Sequence, residues 1–423
     1  MSRRPHRFVL WTLALFSLIA APVRAAEPTV LTVFTNGSLE YLESTRLFFD
    51  EVERRFPDIK INIETGDLDK FLVMYTAGVV PDLLRLYGQN VPEYAARGLI
   101  QPLNPFLEKS HLAQSDFLPV LVERSLSYRG EIYSISWGMS VTSLFVNVDR
   151  FNAAGLALPD ESWRWEVEGV DAARKLGRDG NNDGVLDHYF LNQVGTGTNA
   201  TAFVYMAGGD IFDADMNFVG DTPETVDALE FLYEFMTTNN AMPTPNRGGG
   251  PWDLPSQNTS AFITGSWYVT TLLRQEVGFA WDIGMMPSYK GRWGTSIWPE
   301  TPWAIPTGVK NPELSWRVME FIGSREGQEL VTRLGLAMPP LRLDVAQTTF
   351  MDEYPGVRTD NIINMALAEL TKTIETAPTT VRQHWYNAVG AVLNGTLSPR
   401  AALDQARPAI EAALAEFRSS LTR

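Results

Sequence analysis

The chain has 423 residues, 12 tryptophans, no cysteine and a formal charge of −15. That length allows two or three domains. The missing cysteine excludes disulfides, thiolate catalysis and thiolate metal ligation, and the acidic balance argues against nucleic acid as a partner.

At the start of the chain, Arg3, Arg4, His6 and Arg7 form a basic head, followed by an apolar run over 8–21 and a small-residue site at Val23 and Ala25. The order reads as a secretory signal peptide over 1–25, cleaved after Ala25. The run is shorter than the roughly 20 residues needed to span a bilayer. Polar His6 counts against twin-arginine export. No cysteine is present to carry a lipid at the cleavage point, so the expectation is a protein free in the periplasm.

Residues 30–34 form a β-branched and aromatic run that predicts a buried strand. Phe48, Val52 and Phe56 then repeat at helical spacing until Pro57. Ile59, Ile61 and Ile63 alternate as in a strand, residues 69–77 predict a helix, and Leu83, Leu84 and Leu86 predict the next strand. This rhythm predicts an α/β fold with a parallel sheet, whose ligands bind beyond the carboxyl ends of its strands. The loops after Phe34 and Leu86 are therefore marked.

Farther on, residues 144–148 predict a strand, while 172–176 and 223–237 predict helices. The second of these carries Val226, Leu229, Leu232, Tyr233 and Met236 on one side. Residues 239–257 are rich in Pro, Gly and Asn and predict a surface loop. A strand is expected over 303–306 and a helix over 313–322. Ser398 and Pro399 predict the cap and first turn of a last helix, with Leu403, Ala406, Ile410, Leu414, Phe417 and Leu421 on one face and a kink at Pro408. No other apolar stretch is long enough for a transmembrane helix.

Several segments together resemble the extracellular solute-binding proteins of ABC importers, maltodextrin or sugar-binding type. They are YTAGVVPDLLRLYGQNVPEYAARGLIQPLNPF at 75–106, GEIYSISWGMSVTSLFVNVDRF at 130–151, AFITGSWYV at 261–269, and the run from Trp303 through Ser324-Arg325-Glu326-Gly327-Gln328. Trp385-Tyr386, followed by Gly395, Ala402, Leu403 and Ala406, is similar to the family's C-terminal helices. Each segment alone is weak, but five in order are specific. The usual Tyr-Asn-Lys-Asp of the first crossing stands here as Val146-Asn147-Val148-Asp149.

The resemblance implies a two-lobed periplasmic binding protein fold with discontinuous domains around a ligand cleft. One lobe is expected over 26–142 plus 304–340, the other over 143–303 plus 341–423. Crossings are expected near Ser143, near Trp303 and after Met338. It also implies a non-enzymatic, monomeric receptor that closes on a sugar by a hinge and delivers it to permease subunits in the inner membrane.

Sugar recognition needs flat apolar faces and planar polar groups that fork to adjacent hydroxyls. Family position singles out Trp267 and Trp385 as stacking residues and Trp137 as a third, with Trp252, Trp298 and Trp303 behind them. Core packing is the competing reading for each. Asn36, Tyr87, Gln89 and Asn90 are polar or aromatic candidates from the two marked loops. Ser140 and Asn199 complete the set.

The run Asp179-Gly180-Asn181-Asn182-Asp183-Gly184-Val185-Leu186-Asp187 has oxygen side chains at Asp179, Asn181, Asp183 and Asp187, a carbonyl at Val185, and glycine at its sixth position. That pattern suits a structural calcium loop, although Phe190 stands where an EF-hand carries its glutamate. An Asx-rich turn is the competing reading. No other cofactor is expected. Two alternatives remain open here: a binding protein for glycerol phosphodiesters or polyols, and a secreted glycoside hydrolase using Glu300 and Asp253.

Overall fold

The computed structural model describes residues 27–421, except 37–38, 194–196, 214, 245–252, 336–338 and 375. The expected signal peptide therefore lies outside the described residues. β1 (Thr29–Thr35) and β2 (Ile59–Thr65) pair in parallel from Thr29 opposite Ile59, and β3 (Leu83–Arg85) joins the other side of β1. The connecting helices are Leu39–Arg55 and Leu68–Thr76. Phe48, Phe49 and Val52 of the first are buried against the sheet's core, at the helical spacing anticipated. The second is opened by Asp67, whose carboxylate accepts from Lys70 N at 2.8 Å.

Beyond a small hairpin, β4 (Ser127–Tyr128) and β5 (Glu131–Ile132), comes the longest strand, β6 (Ser134–Asn147). The remaining strands are β7 (Tyr189–Gln193), β8 (Thr259–Gly265), β9 (Trp281–Gly284), β10 (Ser296–Ala304) and β11 (Lys372–Thr373). The main sheet runs β2-β1-β3-β10-β6-β8-β7, with β11 on β10 and β9 on β6.

β6 and β10 carry the chain between two lobes. From Ser134 to Val141, β6 pairs antiparallel with β10; from Thr142 onward it pairs with β8 and β9. β10 meets β3 through Trp303 and Ala304 at one end and β11 through Ser296 and Ile297 at the other. A third segment lies beside them: Pro339 O accepts from Met139 N at 2.8 Å, and Gly138 bridges to Pro340. Met338 itself is outside the described residues.

The strand predicted at 144–148 thus begins ten residues earlier, at Ser134. Its serines disguise it. Ser136 Oγ donates to Gly138 O at 2.7 Å, Ser143 Oγ donates to Val141 O at 2.9 Å, and the hydroxyls of Thr142 and Ser296 lie 2.7 Å apart. Every residue of β6 is buried. Hydroxyls that satisfy each other internally let a polar-looking segment run through a core.

The strand predicted at 303–306 likewise begins earlier, at Ser296, despite Pro299 and Pro302. Near the C-terminus, Ser398 Oγ accepts from Ala401 N at 3.3 Å and opens the helix Pro399–Ser420, which buries Leu403, Ala406, Ile410, Leu414 and Phe417. This helix runs uninterrupted through Pro408. The helix Thr379–Leu393 packs beside it and against Gly197–Ala207 and Pro223–Thr237.

Candidate functional site

A cleft of about 270 Å³ opens where the loop after β3, the end of β8 and the middle of β10 meet. Tyr87, Gly88 and Gln89 come from the turn after Arg85, which is the marked position beyond a strand's carboxyl end. Asn199 comes from the helix Gly197–Ala207, Thr264, Gly265 and Trp267 from the end of β8, and Trp298, Pro299, Glu300 and Thr301 from β10.

Trp267 is 37% exposed and ends the turn that leads into the helix Tyr268–Arg274. Gly265 makes its pose possible: a Cβ there would lie 2.5 Å from both Trp267 Nε1 and Ser140 Oγ. Trp298 is half-buried, and its Nε1–H donates to Glu300 Oε2 at 2.7 Å. That bond fixes the indole and aims the carboxylate along the same wall. Gly88 lies against Pro299, where a Cβ would fall 2.6 to 2.8 Å from proline atoms, so the β3 turn is pressed onto β10. Thr301 holds φ +56, the left-handed region that a β-branched residue rarely adopts, and it lines the cleft.

One organising residue escapes sequence reasoning. Arg85, 2% exposed, donates from Nη1 to the carbonyl of Asn36 and, at 2.6 Å, to Asn36 Oδ1. Its Nη2 lies 3.5 Å from Thr301 Oγ1, and its guanidinium carbon lies 5.7 Å from the Tyr87 ring centroid. A cation inside the apolar run Leu83-Leu84-Arg85-Leu86 was the available signal.

Of the anticipated residues, Tyr87, Gln89, Asn199, Trp267 and Trp298 come together on this cleft. Asn90 lies just beyond it, in an adjoining cavity. Asn36 sits behind the lining, held by Arg85, and its Nδ2 has no partner among the described residues. Ser140 is also buried and its Oγ, next to Gly265, has no partner among the described residues. Asn199 Nδ2 donates to Ile263 O at 3.2 Å, which holds the side chain against the end of β8.

Three tryptophans lie elsewhere than expected. Trp137, Trp303 and Trp385 are 1%, 0% and 0% exposed. Trp137 and Trp303 pack on each other with centroids 5.4 Å apart, Trp137 against Phe48 at 4.8 Å and Trp303 against Phe49 at 5.3 Å. Trp303 lies beyond Thr301, whose φ of +56 interrupts the alternation of β10, and stands opposite Ile135 and Arg85 inside the sheet, whereas Trp298 lines the cleft. Trp385 is on the buried face of the helix Thr379–Leu393. These three fill the core. Trp252 lies outside the described residues.

The loop 179–187 folds on itself. Asp179 accepts from Asp183 N at 3.3 Å and Gly184 N at 2.8 Å, Asp187 from Gly180 N at 3.0 Å, and Asp183 from Val185 N at 2.8 Å. Asn181 Nδ2 donates to Asp183 at 3.2 Å. Asn182 and Gly184 hold φ +61 and +87. Among the described residues no three His, Cys, Asp or Glu groups are arranged to hold a metal, and the carboxylates of this loop accept from backbone amides. Asp253, the other carboxylate considered for hydrolysis, caps its own turn by accepting from Ser256 N at 2.9 Å.

A single sheet shared by two α/β lobes, with an aromatic and polar cleft beside the crossing strands, is the architecture of a solute-binding protein. Residues 36–329 match the bacterial extracellular solute-binding protein family, and the chain belongs to it. A putative binding protein of Brucella abortus is 20% identical over 316 residues, spanning 70% of this chain and 72% of its own. Among solved structures, an ABC substrate-binding protein of Listeria monocytogenes in complex with cycloalternan superposes with TM-score 0.79 at 20% identity, covering 92% of this chain and all of that one. The sugar-binding protein MalE of Xanthomonas citri gives 0.76 at 16% identity over 93% of this chain and 100% of its own. A solute-binding protein of Thermotoga lettingae bound with α-D-tagatose gives 0.74 at 22%, over 90% and 99%. The two-lobed fold is common to all of them.

Proposed function

We propose that this chain captures a neutral sugar or oligosaccharide for an ABC importer and releases it, chemically unchanged, to permease subunits. One observation carries the reading: Trp267 and Trp298 line the same cleft as Gln89, Asn199 and Glu300. Indole faces suit the C–H side of a pyranose, and amide and carboxylate groups suit its hydroxyls. A carboxylate on the wall disfavours a phosphate ligand. The solved relatives bound to cycloalternan and α-D-tagatose agree with a carbohydrate.

The basic and apolar leader, with no cysteine beside its cleavage site, supports export to the periplasm as a free monomer after loss of residues 1–25. No helix among the described residues is long and apolar enough to cross a membrane. The change of strand partners at Val141–Thr142, and the two ends of β10, support lobe borders near 142–143 and 303–304. Five oxygen donors on alternating positions, with φ > 0 at Asn182 and Gly184, support calcium uptake by the loop 179–187. Calcium added to chelated protein then raises its melting temperature, and Asp179→Ala removes the rise; no calorimetric heat and no shift would end that part of the reading.

Thermal shift across mono- and oligosaccharides, polyols and glycerophosphodiesters tests the main reading, because a ligand selective for the folded state stabilises it by mass action. A sugar is expected to shift the melt. Trp267→Ala should then weaken its binding by about tenfold, near 1.4 kcal/mol, with the unliganded melt little changed. A flat response to every sugar with a shift for a phosphodiester would overturn the choice of ligand.

A further inference from the structure

We infer that Arg124 and Asp210 form an ionic latch between the lobes, so that ionic strength as well as ligand sets how readily the lobes join. The inference rests on the lobe borders proposed above and not on the choice of ligand.

Arg124 ends the helix Pro119–Arg124, which precedes the first crossing and packs against β10 and β11. Asp210 follows the helix Gly197–Ala207, in the stretch beyond that crossing. The two charges meet at 3.2 Å between Arg124 Nη1 and Asp210 Oδ2, although they stand 86 positions apart in the chain. Both side chains are largely covered, with 27% and 18% of their surface exposed. An ion pair so placed keeps more of its attraction than one in open solvent.

The Asp210 side is built to receive a cation and to let it go. Asp210 Oδ1 accepts from Ile211 N at 2.9 Å, while Lys372 Nζ lies 3.0 Å from Oδ2 and donates to Gly209 O at 3.1 Å. β11 places that lysine: Tyr205 Oη donates to Thr373 O at 2.7 Å, and the ammonium lies 5.5 Å from the Tyr205 ring centroid. Tyr205, Gly209, Asp210 and Lys372 all come after the first crossing, so this half stays assembled when the lobes part. Asp210 then keeps Lys372 as its partner, and opening strands no carboxylate. A second carboxylate, Asp213, feels the same guanidinium. Burial pushes its carboxyl up, but bonds from Asn217 and Asp215 and the Arg124 charge bring it below its usual range. Two carboxylates against one ammonium leave a net attraction for Arg124.

The latch stands at one end of a stretch that borders the cleft. Lys372 opens that stretch, Ile374 lines the cleft, and Thr379 closes it by accepting from Asn90 Nδ2 at 3.2 Å. Bonds across the lobes therefore stand at both ends of 372–379, one ionic and one neutral. Salt weakens the ionic one, since the screening length falls from about 30 Å at about 0.01 M to about 3 Å at about 1 M.

The chain has no cysteine, so nitroxide labels attach only where cysteine is introduced. Asp50→Cys in the helix Leu39–Arg55 and Arg174→Cys in the helix Val170–Leu176 put one exposed label on each lobe. Pulsed electron resonance on the ligand-free protein then reads the share of molecules at the joined-lobe distance. Raising salt from about 0.01 M to about 1 M should lower the ratio of joined to open molecules about threefold, within the range for a partly exposed ion pair. Arg124→Gln should start at the lowered ratio and no longer respond to salt. Arg124→Ala repeats the test should the first variant melt early. A ratio that salt leaves unchanged in the labelled chain, or a salt response that survives both variants, overturns the latch and leaves the choice of ligand untouched.

Discussion

His188 shows how a single buried group can set the acid tolerance of the protein. Its Nδ1 lies 2.8 Å from Gln257 O and its Nε2 2.8 Å from Ser260 Oγ, while Arg150 Nη1 is 3.0 and 3.1 Å from the two ring nitrogens. Burial first, and then the Arg150 charge, pull its pKa down from 6.5 to about 4. The unfolded chain therefore takes up a proton below pH 6.5 that the folded chain refuses until about 4. The resulting stability is whole above pH 6.5 and is lost as pH falls toward 4. Urea unfolding should show a loss between pH 7 and 4.5 that is smaller in His188→Gln, although that variant starts lower at pH 7. Parallel pH profiles for the two proteins would refute it. No spacing or pattern marked this histidine, because its partners are distant in sequence. The same limit applies to the tryptophans. Residue type could nominate Trp137, Trp267, Trp298, Trp303 and Trp385 alike, but only the register of β6 and β10 and the packing of the last helices decide which indole meets water.

Among the elements, the crossing segments depend on one side chain. Gln328, wholly buried, donates from Nε2 to Ser136 O at 3.0 Å and Ile322 O at 2.8 Å. Its Oε1 accepts from Leu341 N at 2.6 Å. It thereby ties the helix Arg325–Arg333 to β6 and to the third crossing segment at once. Gly327 before it has no room for a side chain, since a Cβ would sit 1.9 Å from Phe321 O. The Glu-Gly-Gln motif was visible as a family resemblance, and these contacts supply its physical reason. Gln328→Leu keeps the apolar volume but strands a buried N–H and two carbonyls, so it should cost about 2–3 kcal/mol in urea unfolding. A loss under about 0.5 kcal/mol would show that the segments hold without it. Elements with one apolar face were legible: the helices near Phe48 and Leu229, and the last helix through Phe417. β6 was not, because its four serines imitate a turn although the strand is wholly buried, with Ser136 and Ser143 bonded to backbone carbonyls inside it.

For the whole molecule, the alternating strands and the ordered motifs foretold two lobes; of the two loops marked for ligand, the one after β3 supplies Tyr87, Gly88 and Gln89 to the cleft, while Asn36 after β1 sits behind its lining. What sequence could not reveal was which groups touch across the cleft, since those contacts join residues some 290 positions apart. Thr379, at the start of the helix Thr379–Leu393, is the most tractable of them. Its Oγ1 accepts from Asn90 Nδ2 and from Arg382 Nη2, each at 3.2 Å, and its N–H donates to Glu93 Oε2 at 3.3 Å. The Asn90 and Glu93 bonds join this helix to the turn after β3, and opening the cleft between them would break both. Thr379→Ala deletes the hydroxyl and keeps the backbone bond; the Arg382 bond lies within one helix and is lost in either arrangement, so the difference rests on the Asn90 bond and takes about 1 kcal/mol from closure. A ligand that binds the closed arrangement better then loses affinity by the same factor, about fivefold, as the closed population shrinks. Because the change acts through closure, it should appear mainly as faster dissociation in stopped-flow tryptophan fluorescence. It should be nearly equal for every sugar that binds, because closure is common to all of them. An unchanged dissociation rate would mean that the hydroxyl does not help to join the lobes.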